Sequence, residues 1–251
     1  MASIVGRQTS GAGLGWSAAR HLLAGLLALA ATAGLAERHL DGAAPSLAQG
    51  AAVYLLFAAA MAALLYRHGA LPAFGGANRI TLVRLVLVSL LAGYVGRDQA
   101  AAVAWPLLGV SLFALLLDGV DGWWARRRGL SSAFGARFDM ETDALLILVL
   151  SLLAWHLGKA GVWVILSGAL RYLFVAAGWL LPFLDRPLPH SERRRVVCVV
   201  QVAVLVACLA PVLGSALAAP LAAAGLALTA WSFAVDIRWL VQHRNNGDIA
   251  A

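Results

Sequence analysis

The sequence is short of charge, thiols and long polar segments. Asp, Glu, Lys and Arg make up 12% of 251 residues, about half the ~25% usual in a water-soluble domain, which excludes an ordinary soluble globule. The two cysteines, Cys198 and Cys208, both fall inside one apolar stretch. They offer neither a disulfide framework nor metal-ligand spacing and read as packing residues. The longest polar interval is about 20 residues, and no internal repeat or low-complexity tail is visible, so there is no room for a separate soluble domain.

What fills the chain is apolar: 62% of residues are hydrophobic. They gather into stretches of roughly 18 to 24, the length that crosses ~30 Å of hydrocarbon as helix. Eight such stretches are read, at 16–36, 50–66, 78–96, 100–118, 139–157, 161–183, 196–214 and 218–241. The fold class expected is therefore all-α, a polytopic helical membrane protein with about eight transmembrane helices. The first stretch has the flanks of a signal peptide, but its long apolar run favours an uncleaved span. A Gly- and Pro-containing interval, HGALPAFGGA at 68–77, sets residues 1–74 apart as an accessory transmembrane hairpin from a later six-span domain, 75–251.

The net charge is +7, and its placement matters more than its size. With loops assigned to alternate sides, Arg38, Arg97 and Lys159 fall on one side and Arg84 and Arg171 inside spans, which leaves the other 14 of 19 cations on the opposite side. The positive-inside rule puts that side, and both termini, in the cytoplasm. A lipid bilayer, not nucleic acid, is the expected partner of this charge. The expected location is a plasma membrane, the inner membrane of a bacterium, with the active site facing the cytoplasm.

Only 12 acidic residues exist, yet Asp118, Asp121, Asp139 and Asp143 fall within one 26-residue stretch. Asp118 and Asp121 are three apart at the expected end of the fourth span, and Asp139 and Asp143 four apart at the start of the fifth, so each pair shares a helical face. A polar turn over 127–137 would make the two helices antiparallel neighbours and bring four carboxylates together at the membrane surface. Such a cluster repels itself unless a hard cation is present. Mg²⁺ or Mn²⁺ suits it, whereas zinc does not, because no Cys or His accompanies the acids. Gly122, Ala125 and Gly135 are small residues beside the acid face that let a phosphate-bearing ligand approach the backbone. Arg126 adds fixed positive charge. Carboxylates, divalent metal and an arginine are the parts that position a diphosphate for phosphoryl transfer.

The segment from Asp118 to Asp143 reads D-G-V-D-G-W-W-A-R, eight residues, then G-A-R-F-D-M-E-T-D. It resembles the signature of the CDP-alcohol phosphotransferase family at every fixed position, and the likeness covers about residues 75–241, that family's six-span core. The resemblance implies transfer of a phosphatidyl group from CDP-diacylglycerol, or a related CDP-alcohol, to the hydroxyl of a small acceptor with release of CMP. It implies Asp118, Asp121 and Asp139 as ligands of two metal ions. Asp143 would be a second-metal ligand or the base that deprotonates the acceptor. Gly122, Ala125, Arg126 and Gly135 would receive the cytidine diphosphate, and a homodimer is implied as well. Asn78, Thr81 and Arg84 resemble the family's N-x-x-T-x-x-R at the start of its first core span and share one helical wedge, which equally suits a polar packing seam.

The acceptor stays open. Arg171 is a charge in mid-span and needs an anion; with Arg193, Arg194 and Arg195 at the start of the next span it would suit a phosphorylated acceptor. The triple arginine suits an anionic-lipid anchor as well. Family members that use phosphorylated acceptors often carry a Lys-Thr pair ahead of a Gln, whereas Val197 and Cys198 precede Gln201 here, which keeps a neutral or zwitterionic acceptor in play. Two other classes compete. Intramembrane Mg²⁺-dependent prenyltransferases also bind diphosphate through aspartates, but their acidic motifs lie far apart in sequence. A non-catalytic transporter would place carboxylates near the midplane or on broken helices.

Overall fold

The computed structural model describes residues 11–40, 43–68, 76–128, 133–189 and 191–244. Among them there are eight α-helices and no strand: α1 Gly11–His39, α2 Leu47–His68, α3 Gly76–Ala92, α4 Ala104–Arg128, α5 Ala133–His156, α6 Leu166–Leu180, α7 Glu192–Leu209 and α8 Ser215–Gln242. Short 3₁₀ turns at Asp98–Ala101, Val162–Ile165 and Pro182–Asp185 connect them. Each expected apolar stretch overlaps one helix.

The surface is the reverse of a soluble protein's. Large apolar side chains such as Leu27, Leu56, Trp105, Trp179, Leu180 and Leu217 are exposed, while Asn78, Thr81, Arg84, Ser151, Ser167, Gln201 and Thr229 are buried. Exposed apolar groups belong against lipid, where backbone hydrogen bonds must close within helices and polar side chains turn inward. Three stretches are long and apolar enough to cross a bilayer, Ala19–His39, Val162–Leu180 and Ser215–Gln242, and Leu47–Ala63 and Ala104–Gly119 are shorter apolar helices.

Two helix ends differ most from the sequence reading. The fourth helix does not stop at Asp118 but continues to Arg128, and the fifth starts at Ala133, six residues before Asp139. Of the expected turn, 127–128 and 133–137 are helical, and 129–132 lie outside the described residues. Hydropathy marks where a helix leaves the apolar layer; Trp, Ala and Arg over 123–128 continue the helix past that point because they are compatible with it. The acid pairs therefore sit inside a helical pair, Asp118 about 15 Å of helix before the end of α4 at ~1.5 Å per residue.

The chain divides into two compact units, Met1–Gly93 with Leu116–Thr142, and Tyr94–Leu115 with Asp143–Ala251. In the first, α1, α2 and α3 pack on one another. The Tyr54 hydroxyl donates to the Leu22 carbonyl at 2.8 Å, and Gly50 brings α2 so close to α3 that an added Cβ would lie 2.7 Å from the Ser89 carbonyl oxygen. Phe57 of α2 reaches Phe138 on α5 at a centroid distance of 6.0 Å, and Phe138 stacks on Phe134 at 5.8 Å.

In the second unit α7 packs on α8, and α6 on α8. Helix α5 ends in a Schellman turn: Gly158 is left-handed at φ 67°, its N–H bonds to Trp155 O and the Lys159 N–H to Ala154 O. That turn aims Lys159, whose ammonium donates to the carbonyls of Ala210 at 2.9 Å and Leu213 at 2.6 Å in the connection between α7 and α8. Pro211 lies in that connection and Pro220 inside α8.

Candidate active site

Within the first unit, α3, the end of α4 and the start of α5 supply the polar centre. On α3, Asn78, Thr81 and Arg84 recur every three residues, so they share one face; all three are buried, Arg84 to 1% exposure. A guanidinium withdrawn this far from water requires anionic partners, and both come from the acid stretch. Its Nη1 lies 3.0 Å from Oδ1 of Asp118 on α4 and 2.5 Å from Oδ1 of Asp139 on α5. One nitrogen thus bridges carboxylates from two helices, α4 and α5.

Around Asp139, the first turns of α5 divide into distinct faces. Phe134 and Phe138 form the aromatic stack, Arg137 pairs with Glu141 at 3.1 Å one turn on, and the Thr142 hydroxyl donates to the Phe138 carbonyl at 2.8 Å. Asp139 and Asp143 share the remaining face, one turn apart on the same helix. One carboxylate oxygen from each of Asp118, Asp139 and Asp143 falls in a set whose members all lie within 4.8 Å of one another, each residue partly exposed. Oxygens around a single Mg²⁺ at ~2.1 Å stand roughly 3–4 Å apart, so a small side-chain adjustment closes this set on a hard cation. The donor set is all oxygen, which fits Mg²⁺ or Mn²⁺ and not zinc.

The other expected site residues are placed as follows. Thr81 lies one turn before Arg84 on the buried face of α3. Gly135 is partly exposed in the first turn of α5, four residues before Asp139. Asp121, Gly122, Ala125 and Arg126 belong to helical backbone of α4, and their side chains lie outside the described residues. Arg171 is half-buried on α6, in the second unit.

A scan of protein families matches one model, CDP-alcohol phosphatidyltransferase, over residues 74–234, more than half of the chain. The chain belongs to the CDP-alcohol phosphatidyltransferase family. No solved structure matches it. Family membership makes it a transferase of substituted phosphate groups in phospholipid synthesis, and together with the apolar helices it makes it an integral membrane protein. The matched interval begins two residues before Gly76, the start of α3, so α1 and α2 lie ahead of the family region.

Two arginines of the triple at 193–195 have a task the sequence did not show. Arg193 of α7 donates to the Ser232 carbonyl and hydroxyl, both at 2.6 Å, and to Asp236 Oδ1 at 2.5 Å on α8, with its guanidinium 5.6 Å over the Trp231 ring. Arg194 bonds the Pro189 carbonyl and lies 4.0 Å from Asp236. Arg193 thus ties α7 to α8. Arg195 is exposed. The contact between Arg84 and the acids was also missed, though a signal existed: an arginine deep in an apolar stretch, in a chain with so few acids, has few candidates for its counter-ion.

Proposed function

We propose that this transferase moves a phosphatidyl group from CDP-diacylglycerol, or a closely related CDP-alcohol, onto the hydroxyl of a small acceptor and releases CMP. The observation that supports this most is the convergence of Asp118, Asp139 and Asp143 within 4.8 Å, inside a segment that matches the family signature at each fixed position.

Asp118, Asp121, Asp139 and Asp143 would hold two divalent ions, Mg²⁺ or Mn²⁺. When bound, the metal supplies positive charge to the diphosphate and to the departing phosphate oxygen. Asp143 takes the proton from the acceptor hydroxyl. The acceptor oxygen then forms a bond to the lipid-bearing phosphorus as the bond from that phosphorus to the CMP oxygen breaks. Gly122, Ala125 and Gly135 let the cytidine diphosphate approach helix backbone, with Arg126 and Thr81 as its polar contacts. Arg171 receives an anionic group of the acceptor, which favours a phosphorylated alcohol. Residues 75–251 form the catalytic domain and 1–74 an accessory hairpin; the eight helices cross the membrane as eight spans with the termini and acids cytoplasmic, and the protein works as a homodimer.

The test is to incubate radiolabelled CDP-diacylglycerol with the purified protein and a panel of acceptors: glycerol 3-phosphate, inositol phosphate, serine and free inositol. CMP release coupled to one labelled product, and selective for phosphorylated alcohols, is expected. Release with serine or inositol alone would remove Arg171 from acceptor binding, and no release with any acceptor would count against the reaction.

A further inference from the structure

The acid cluster already contains a cation. Arg84 is withdrawn from solvent, and its Nη1 contacts Oδ1 of both Asp118 and Asp139. Carboxylates brought this close repel one another, and the guanidinium between them offsets that repulsion before any metal arrives. A divalent ion would draw on the same carboxylates, so when it binds, two cations stand side by side over shared ligands.

We propose that Arg84 is the resident counter-cation of the site: it keeps the metal-free acid cluster folded and weakens metal binding by competing for Asp118 and Asp139. The proposal rests on the metal-binding reading above. It makes Arg84 a positioning residue that acts through the carboxylates without touching substrate. A unit charge and a doubly charged ion about 5 Å apart, even in a water-like dielectric, repel enough to weaken binding by roughly tenfold. Metal taken up against this penalty is held less tightly and exchanges more readily.

The experiment uses purified full-length protein, with Mn²⁺ as the probe. Affinity is read from the electron paramagnetic resonance signal of free Mn²⁺, and thermal unfolding is followed in EDTA and in saturating Mn²⁺. Arg84→Met is expected to lower the unfolding temperature in EDTA by several °C, the consequence of leaving neighbouring, partly exposed carboxylates without their counter-cation. Saturating Mn²⁺ should restore most of that loss, and Mn²⁺ should bind roughly tenfold more tightly than to the wild type, as linkage requires. Adding Asp139→Asn to Arg84→Met removes the uncompensated charge and should recover part of the stability in EDTA, which keeps the test readable if the single variant folds poorly. An equal loss of stability in EDTA and in Mn²⁺, with Mn²⁺ affinity unchanged or weaker, would overturn the proposal and leave Arg84 as a packing residue. Failure of the wild type to bind Mn²⁺ would instead overturn the metal reading itself, and this inference with it.

Discussion

Gly168 is where a single methyl group should damage the enzyme without touching its chemistry. It is buried on α6 and faces the α5 backbone so closely that an added Cβ would lie 2.7 Å from the Leu148 nitrogen and Cβ, and nearer still to its Cα. Ordinary contact begins at 3.4 Å, so the helices must part by at least the difference, 0.7 Å. The obstruction is main chain and cannot rotate away. Overpacking of this kind costs about 1–3 kcal/mol, or roughly 2–10 °C in unfolding temperature. Leu148 is five residues after Asp143 on the same helix, so the displacement reaches the proposed base. Misplacing a catalytic group by ~1 Å can cost on the order of 10²-fold; for Gly168→Ala a loss of about 10- to 100-fold in kcat for CMP release is expected, with CDP-lipid still bound. The control is Gly109→Ala on α4, where nothing lies within 4 Å of an added Cβ; it should be neutral or up to ~1 kcal/mol more stable. Wild-type turnover and unfolding temperature for Gly168→Ala would refute the reasoning.

Three further outcomes are expected. Asp143→Asn should retain much of the CDP-lipid affinity, measured by equilibrium binding, while turnover falls by about 10²-fold or more; equal loss of binding would make Asp143 chiefly a ligand. Arg171→Ala should raise the acceptor KM by about 10- to 150-fold, the worth of a charge-assisted contact, and leave the CDP-lipid KM unchanged; a selective effect on CDP-lipid would contradict its assignment. Lys159→Met removes two donors to the carbonyls of Ala210 and Leu213 and should lower stability by about 2–4 kcal/mol with kcat nearly intact, as read by thermal unfolding beside a turnover assay.

The helices and the acid centre were legible because each rests on a local rule. An 18-residue apolar run has one stable form in lipid, and a three- or four-residue spacing fixes a shared helix face wherever the helix goes. The ends of α4 and α5 were not legible, since hydropathy reports the apolar layer while Arg126–Arg128 and Ala133–Arg137 continue as helix beyond it. Long-range pairing was also hidden. Asp236 and Arg193 are 43 residues apart, and nothing local distinguishes an arginine that clamps two helices from one that waits for a phosphate. Arg84 was recognised as part of a motif, but its contact with Asp139, 55 residues away, depends on how α3, α4 and α5 pack. Lys159 belongs to the same class: its reach to Ala210 and Leu213 follows from the left-handed turn at Gly158, which the sequence announces only as a glycine.

The most direct test is CMP release from CDP-diacylglycerol by the purified full-length protein, stripped with EDTA and then titrated with Mg²⁺ or Mn²⁺, in parallel with Asp118→Asn and Asp139→Asn. No CMP should appear until metal is restored, and neither variant should recover at any metal concentration, because losing one ligand breaks the carboxylate set that holds the ion. Undiminished turnover in EDTA, or full activity in either variant, would contradict a metal-dependent transferase built on these aspartates.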